Sequence, residues 1–169
     1  LFDAGLRRYL PRSNNRANLQ VIMGQLAAFD PGALTHIGPV LHEMAAQTPR
    51  KGMVLLISDL FDDEEQILGG IQHLRYIGHE VIVFHVLDPA ELDFPFRNMT
   101  LFKGLEGLPE QLVDPPSLRK AYLAEFEAFT KAVRQGCYAR NIDYLQLRTD
   151  QPLDLALSKY LAARMNRVK

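Results

Sequence analysis

The chain has 169 residues, of which 47% are hydrophobic and 23% charged, with a net charge of −1 and one cysteine. That is enough for one hydrophobic core. Ten prolines and eleven glycines are ordinary usage, so collagen-like repeats and low-complexity disorder are excluded. The longest apolar runs, such as Met53 to Ile57, fall far short of the roughly 18–20 residues of a membrane span. Cys137 alone allows no internal disulfide, no cysteine-rich zinc site and no redox pair. That is compatible with a reducing compartment, and a cytoplasmic location is expected.

Charge is uneven along the chain. Residues 1–50 carry five basic and three acidic side chains, residues 51–115 four and twelve, and residues 116–169 ten and five. The acidic middle disfavours a nucleic-acid surface there. The basic last third fits a solvated helix face better than an acidic partner's footprint.

Leu1 is not an initiator methionine, and Leu1-Phe2-Asp3 reads as the end of a strand whose start is absent. Leu6 to Leu10 fits a short edge strand that would pair with it. Ser13 or Asn14 offers a helix cap, and Leu19, Ile22, Met23 and Leu26 follow at helical spacing, predicting a helix near 16–28. After the Asp30-Pro31-Gly32 break, Ile37, Leu41, Met44 and Ala45 predict a second helix that ends before Pro49, with Thr35 placed to cap it. Met53 to Ile57 is too short for a buried helix, and its composition suits a parallel strand covered on both faces.

Asp62-Asp63-Glu64-Glu65 precedes Ile67, Leu68, Ile71 and Leu74, a helix with acids at its start, a capping-box-like Asp62-x-x-Glu65 and a stop at Gly78. Glu80 to Leu87, with the apolar run Val81 to Phe84, supply the next strand, ended by Asp88-Pro89, so a strand, a helix and a strand follow within about 35 residues, as in a right-handed crossover. Residues 91–114 break this rhythm and suggest an extended loop with a small hairpin. Pro115-Pro116 behind the potential cap Asp114 open a long helix through Tyr122, Phe126 and Val133. Ile142 to Leu147 are a last strand, and Asp150 with Pro152 starts a final helix. No internal repeat or linker interrupts this pattern, and one α/β layered domain is expected.

In open parallel sheets ligands gather beyond the carboxyl ends of the strands. Ser58-Asp59, Asp88 and Thr149-Asp150 stand there, and Thr35 joins them if its loop crosses the same edge. Oxygen donors without cysteine suit a hard cation such as Mg²⁺. Local pattern gives several of these residues plainer roles: Thr35 as a helix cap, Asp62 to Glu65 as helix-start acids, Asp88 as a turn residue. Asp59 follows a strand expected to be buried and needs a compensating partner. The five histidines show no tight ligand spacing and are expected at the surface or packed. Cys137 is expected to be a small core residue. No nucleophile elbow, P-loop or dinucleotide-binding glycine motif occurs.

Met53-Val-Leu-Leu-Ile-Ser-Asp59-Leu-Phe-Asp-Asp63, Gly78 to Phe96, Val113-Asp-Pro115, Leu118 to Tyr122, Asn141 to Tyr144 and Thr149 to Leu157 together resemble the bacterial domain-of-unknown-function 58 family. Members carry a von Willebrand factor A-like domain and are often encoded beside MoxR-type AAA+ ATPases. The resemblance implies an incomplete von Willebrand factor A-like, Rossmann-like three-layer sandwich: a mostly parallel sheet, helices on both faces, N-terminal strands missing. It also implies a metal-ion-dependent adhesion site, for which Gly32-Ala-Leu-Thr35 supplies the threonine loop and Asp59 the strand-end aspartate. The Asp-x-Ser-x-Ser motif of such sites is absent, and His36 stands where an aspartate is common.

The implied metal residues are therefore Thr35 and Asp59, holding Mg²⁺ weakly. The expected function is non-enzymatic, a module that binds a protein partner through the cation and works with a MoxR-type ATPase or its client in protein maturation or complex assembly. An uncovered apolar sheet edge is expected beside Met53 to Ile57, to be covered by homodimerisation or by re-pairing of the N-terminal strand. The alternative is a Mg²⁺-dependent phosphohydrolase or nuclease using Asp59, Asp62, Asp63 and Asp88. It lacks a general base or a cluster of basic side chains near those acids.

Overall fold

The computed structural model describes residues 1–11, 13–29, 35–104 and 109–167. The Asp30-Pro31-Gly32 break, the loop residues Gly32 to Leu34, and Leu105 and Gly107 of the expected hairpin lie outside them. Among the described residues the order is α1 (Ala17–Ala27), α2 (Ile37–Gln47), β1 (Met53–Ser58), α3 (Glu64–Tyr76), β2 (Glu80–Leu87), α4 (Pro89–Asp93), β3 (Thr100–Phe102), β4 (Gln111–Val113), α5 (Pro115–Ala139), β5 (Asp143–Arg148) and α6 (Leu153–Arg167). This is a mixed α/β, Rossmann-like layered arrangement.

The main sheet runs β1-β2-β5 and is parallel throughout. Its register aligns Leu56, Val83 and Tyr144 on one face. Against that face lies the core, in which Ile37 and Leu41 of α2, Ile67 and Leu74 of α3 and Val133 and Cys137 of α5 are all buried. Helices α2 and α3 approach closely because glycines line the contact: a methyl on Gly70 would stand 2.7 Å from Leu41 Cβ. Gly78, with φ +98°, turns the chain out of α3 into β2, a conformation that strains any residue with a Cβ.

The opposite face carries α6 over β2 and β5. The Tyr160 ring meets Phe84 edge-on, and its hydroxyl donates to Asp143 at 2.9 Å. Arg164 adds ion pairs to Asp143 and Glu80. Helices therefore cover both faces of the sheet, but not evenly. On β1 the expectation of double coverage fails: Met53, Leu55 and Ile57 are 59%, 45% and 58% exposed. β1 is an edge strand, and among the described residues the N-terminal segment does not pair with it. Instead Phe2 bridges Leu6 antiparallel, an isolated bridge where a strand over Leu6 to Leu10 is expected.

The small antiparallel β3–β4 pair bears out the expected hairpin. The short α4 is an addition, explained by the Asp88-Pro89-x-Glu91 start: Asp88 accepts from the Ala90 N–H and Glu91 reaches back to the Asp88 N–H at 2.7 Å. Asp114 precedes α5 but makes no side-chain cap bond. No helix is long and apolar enough to cross a membrane among the described residues.

Candidate functional site

At the carboxyl end of β1 the chain leaves the sheet through a tight turn. The Leu60 N–H donates to Ser58 Oγ at 3.0 Å and the Phe61 N–H to Asp59 Oδ1 at 3.3 Å, while buried Leu60 sits at φ +55°. A left-handed leucine costs of order 1–2 kcal/mol and is held only where its surroundings fix it. Here the fixing group lies beneath the turn. His85 is fully buried on β2, with Nε2 2.8 Å from the Asp59 carbonyl oxygen and Nδ1 2.7 Å from the Tyr144 hydroxyl. The carbonyl can only accept, so Nε2 carries the proton and Nδ1 accepts from the tyrosine. Burial lowers the His85 pKa, which keeps the ring neutral, and burial likewise raises that of the Tyr144 hydroxyl.

The same turn fixes the start of α2. Asp62 Oδ2 accepts from the Ile37 N–H at 2.6 Å and Oδ1 from the Asp63 N–H at 2.8 Å. The N-cap position of α2 is His36, whose side chain makes no cap bond, so the cap expected of Thr35 comes from Asp62 across the fold. From the other side, the His36 N–H donates to the Asp3 carbonyl at 3.2 Å. The buried Asp3 carboxylate is gripped by Arg7 Nε at 2.8 Å, which holds its pKa below the ordinary value. Next to these clamped residues, Thr35 and Asp59 both line one cavity of about 460 Å³ together with Phe2, Ser58 and Val86.

The other acids have structural work. Asp63, one residue later than the capping-box expectation, caps α3 by accepting from the Gln66 N–H at 3.0 Å. Asp88 caps α4 and also accepts from the Thr149 hydroxyl at 3.0 Å, which ties the ends of β2 and β5 together. Asp150 faces Arg148 at 3.1 Å, and Arg148 also bonds Asp93; the Asp150 pKa is lowered by that contact. Asp59 is exposed, and beyond the turn bonds its carboxylate accepts from the Ser58 hydroxyl at 3.3 Å. Among the described residues no group of three or more His, Cys, Asp or Glu side chains is arranged to hold a metal ion. A hard cation at Thr35 and Asp59 would thus have two protein oxygens from the expected set, too few for an octahedral site without ligands from elsewhere.

Next to Asp59 lies a feature that residue spacing did not reveal. Phe61, Phe94, Phe96, Phe102 and Tyr122 line a cavity of about 570 Å³ that also takes in Thr35, Asp59 and Glu91. Phe94 packs on Tyr122 with ring centroids 4.5 Å apart and on Phe96 at 5.2 Å. It ends α4 at φ +41°, in the left-handed region like Leu60. Burial, helped by the negative charge of Glu91, raises the Tyr122 pKa. The available signal was the aromatic density of the Phe94-Pro-Phe96 stretch and of α5. The remaining histidines divide as expected: His79 is packed, with Nδ1 accepting from the Gly52 N–H and Nε2 donating to the Thr48 carbonyl, and His42 and His73 touch at the surface.

Residues 1–132 match the family model described as "Protein of unknown function DUF58", and the chain belongs to that family. No curated protein and no solved structure matches it.

Proposed function

We propose that this chain is a non-enzymatic protein-interaction module of von Willebrand factor A-like type, whose recognition edge is the carboxyl end of β1. The observation that supports the reading is that Thr35 and Asp59 line one cavity at that edge, although they are 24 residues apart in sequence. A threonine hydroxyl and an exposed carboxylate are hard oxygen donors, the set that Mg²⁺ prefers. When bound, the cation supplies positive charge that a partner's carboxylate can ligate. Thr35 and Asp59 hold their side of it, and the His85 bond to the Asp59 carbonyl keeps the turn in place. The family's association with MoxR-type ATPases makes such an ATPase or its client the partner we propose, in protein maturation or complex assembly.

The phosphohydrolase or nuclease alternative gains no support from the acids, because Asp62, Asp63 and Asp88 are engaged as helix caps. Calorimetric titration with MgCl₂ tests the preferred reading: weak binding by the wild type, lost in Asp59→Ala and reduced in Thr35→Ala, is expected. Binding unaffected by Asp59→Ala refutes the assignment. Turnover of p-nitrophenyl phosphate abolished by the same substitution establishes the alternative.

The edge of β1 is also the surface we propose for self-association. Its sequence, Met53-Val-Leu-Leu-Ile-Ser58, has no charge and no proline, the usual protections of an edge. Sedimentation as a monomer at all concentrations refutes that pairing.

A further inference from the structure

We propose that the aromatic groove along α5 docks a basic peptide segment of a partner protein, one that presents an aromatic or aliphatic anchor beside lysine or arginine. This rests on the reading of the chain as an interaction module, and not on the cation.

The groove has the length for a peptide. Leu118, Tyr122, Phe126 and Phe129 recur on one side of α5 and line two adjoining cavities of about 570 and 390 Å³, which share Phe61 and Tyr122. The eleven steps from Leu118 to Phe129 span roughly 16 Å at about 1.5 Å each. That matches about five residues of extended chain at ~3.3 Å each and is longer than a compact metabolite needs. The walls are aromatic, and the Tyr122 and Phe126 rings stack at 5.7 Å. Phe61 stands 73% exposed between the two cavities. A large apolar side chain left in water at a concave surface is the usual mark of a binding anchor.

Charge selects the occupant. Among the described residues, Asp59, Asp62, Glu91 and Glu125 line the two cavities against a single cation, Lys103. Lys103 is already paired with Glu110 at 2.9 Å. Asp59, Asp62 and Glu91 accept backbone or hydroxyl bonds, but none of the four acids makes an ion pair among the described residues, and aromatic faces beside such carboxylates favour an ammonium or guanidinium, which gains cation–π contact and carboxylate attraction together while its methylenes lie on the rings. An acidic segment meets only repulsion there. Within this chain Arg7-Arg8-Tyr9-Leu10 has a basic, apolar-anchored composition, with Tyr9 61% exposed, so occupancy by a second copy is an outcome that the test below separates from binding of a partner's segment.

Fluorescence anisotropy in EDTA with a labelled Lys-Leu-Phe-Lys-Leu-Phe-Lys amide tests this, against the same peptide with glutamate for lysine. The lysine peptide is expected to bind at least about tenfold more tightly, a difference of ~1.4 kcal/mol, and to weaken as salt is raised. Phe61→Ala should weaken it about tenfold without loss of helix content by circular dichroism, since the ring is mostly exposed. Glu125→Gln should weaken the lysine peptide and leave the glutamate peptide unchanged or improved. Equal binding of the two peptides, or full binding by Phe61→Ala, overturns the proposal. So does self-association abolished by Phe61→Ala, which assigns the groove to a second copy. Failure of the lysine peptide in EDTA, with Mg²⁺ binding still sensitive to Asp59→Ala, overturns the groove and leaves the cation reading standing. The converse result removes the cation and keeps the groove.

Discussion

Replacing Asp62 with alanine removes an acceptor that holds the first turn of α2 from 25 residues away. Two bonds are lost, to the Ile37 N–H at 2.6 Å and to the Asp63 N–H at 2.8 Å. The Asp63 N–H is at the surface, where water replaces the carboxylate at little cost. The Ile37 N–H begins a helix whose first side chain is fully buried, so water has poorer access to it. Loss of an N-cap costs about 0.5–2 kcal/mol, and the charged acceptor puts this one in the upper half, about 1–2 kcal/mol. For a chain of this length that lowers Tm by roughly 2–8 °C. Asp62→Asn keeps an oxygen acceptor and loses only the charge next to the helix dipole, about 0.3–1 kcal/mol. Urea denaturation of the three proteins in EDTA measures both losses. An alanine variant as stable as the wild type, or an asparagine variant as unstable as the alanine one, refutes the capping role. A loss that appears only with Mg²⁺ present makes Asp62 a metal ligand and revives the hydrolase alternative.

Two neighbouring glycines should respond oppositely to alanine. At Gly70 the new methyl lies 2.7 Å from Leu41 Cβ and 3.1 Å from the Gly38 carbonyl oxygen, and overpacking of about 1–3 kcal/mol outweighs the helix-propensity gain of up to about 1 kcal/mol. At Gly69 nothing lies within 4 Å, so only the gain remains; urea midpoints that move together contradict the α2–α3 contact. Cys137, the one cysteine, is fully buried, and burial pushes its thiol up to about 11. Its reaction with Ellman's reagent at pH 8 should therefore wait for unfolding, and fast labelling of the native protein contradicts its place in the core. The Asp3 carboxyl, held down by Arg7, contributes stability that is present above its unfolded value of 3.8 and lost as pH falls through its lower folded value. A carbon-detected NMR titration should find the Asp3 midpoint below 3.8 in the wild type and moved upward in Arg7→Gln; identical midpoints refute the pairing.

Much of the fold was legible because its signals are local. The apolar strings of β1 and β2 and the helical spacing of α2 and α3 each report what one segment does with its own residues. Signals that need a distant partner were not. Nothing near Thr35 says that Asp62 will supply the cap of α2, and the local pattern favoured Thr35 itself. Met53, Leu55 and Ile57 are as apolar as buried strand residues, but hydrophobicity records what a side chain gains from cover and not whether a helix reaches it. Phe94, Phe96, Phe102 and Tyr122 sit in a helix end, a loop, a hairpin and a long helix, and only the packing of α5 makes them one surface. At the candidate site, sequence placed Asp59 and Thr35 as candidates, whereas the groove beside them became visible only with the structure.

The manner in which the site is held bears on how it can be tested. The turn after β1 is fixed by backbone groups: the Asp59 carbonyl by neutral His85, the Leu60 N–H by Ser58 and the Ile37 N–H by Asp62. Of the candidate side chains, Asp59 gives its carboxylate two long contacts among the described residues, both at 3.3 Å and both within its own turn. The framework therefore depends on His85, Tyr144 and Asp62, and the proposed recognition depends on Asp59, Thr35 and the groove. Substitution of Asp59 should leave the fold intact, because bonds at 3.3 Å to surface groups contribute little that water does not replace. Substitution of His85 by leucine should do the reverse, stranding the Asp59 carbonyl and the Tyr144 hydroxyl without a partner at a cost of about 1–3 kcal/mol each. Loss of binding in Asp59→Ala can thus be read as loss of a ligand group, whereas the same loss in a His85 variant carries no such meaning.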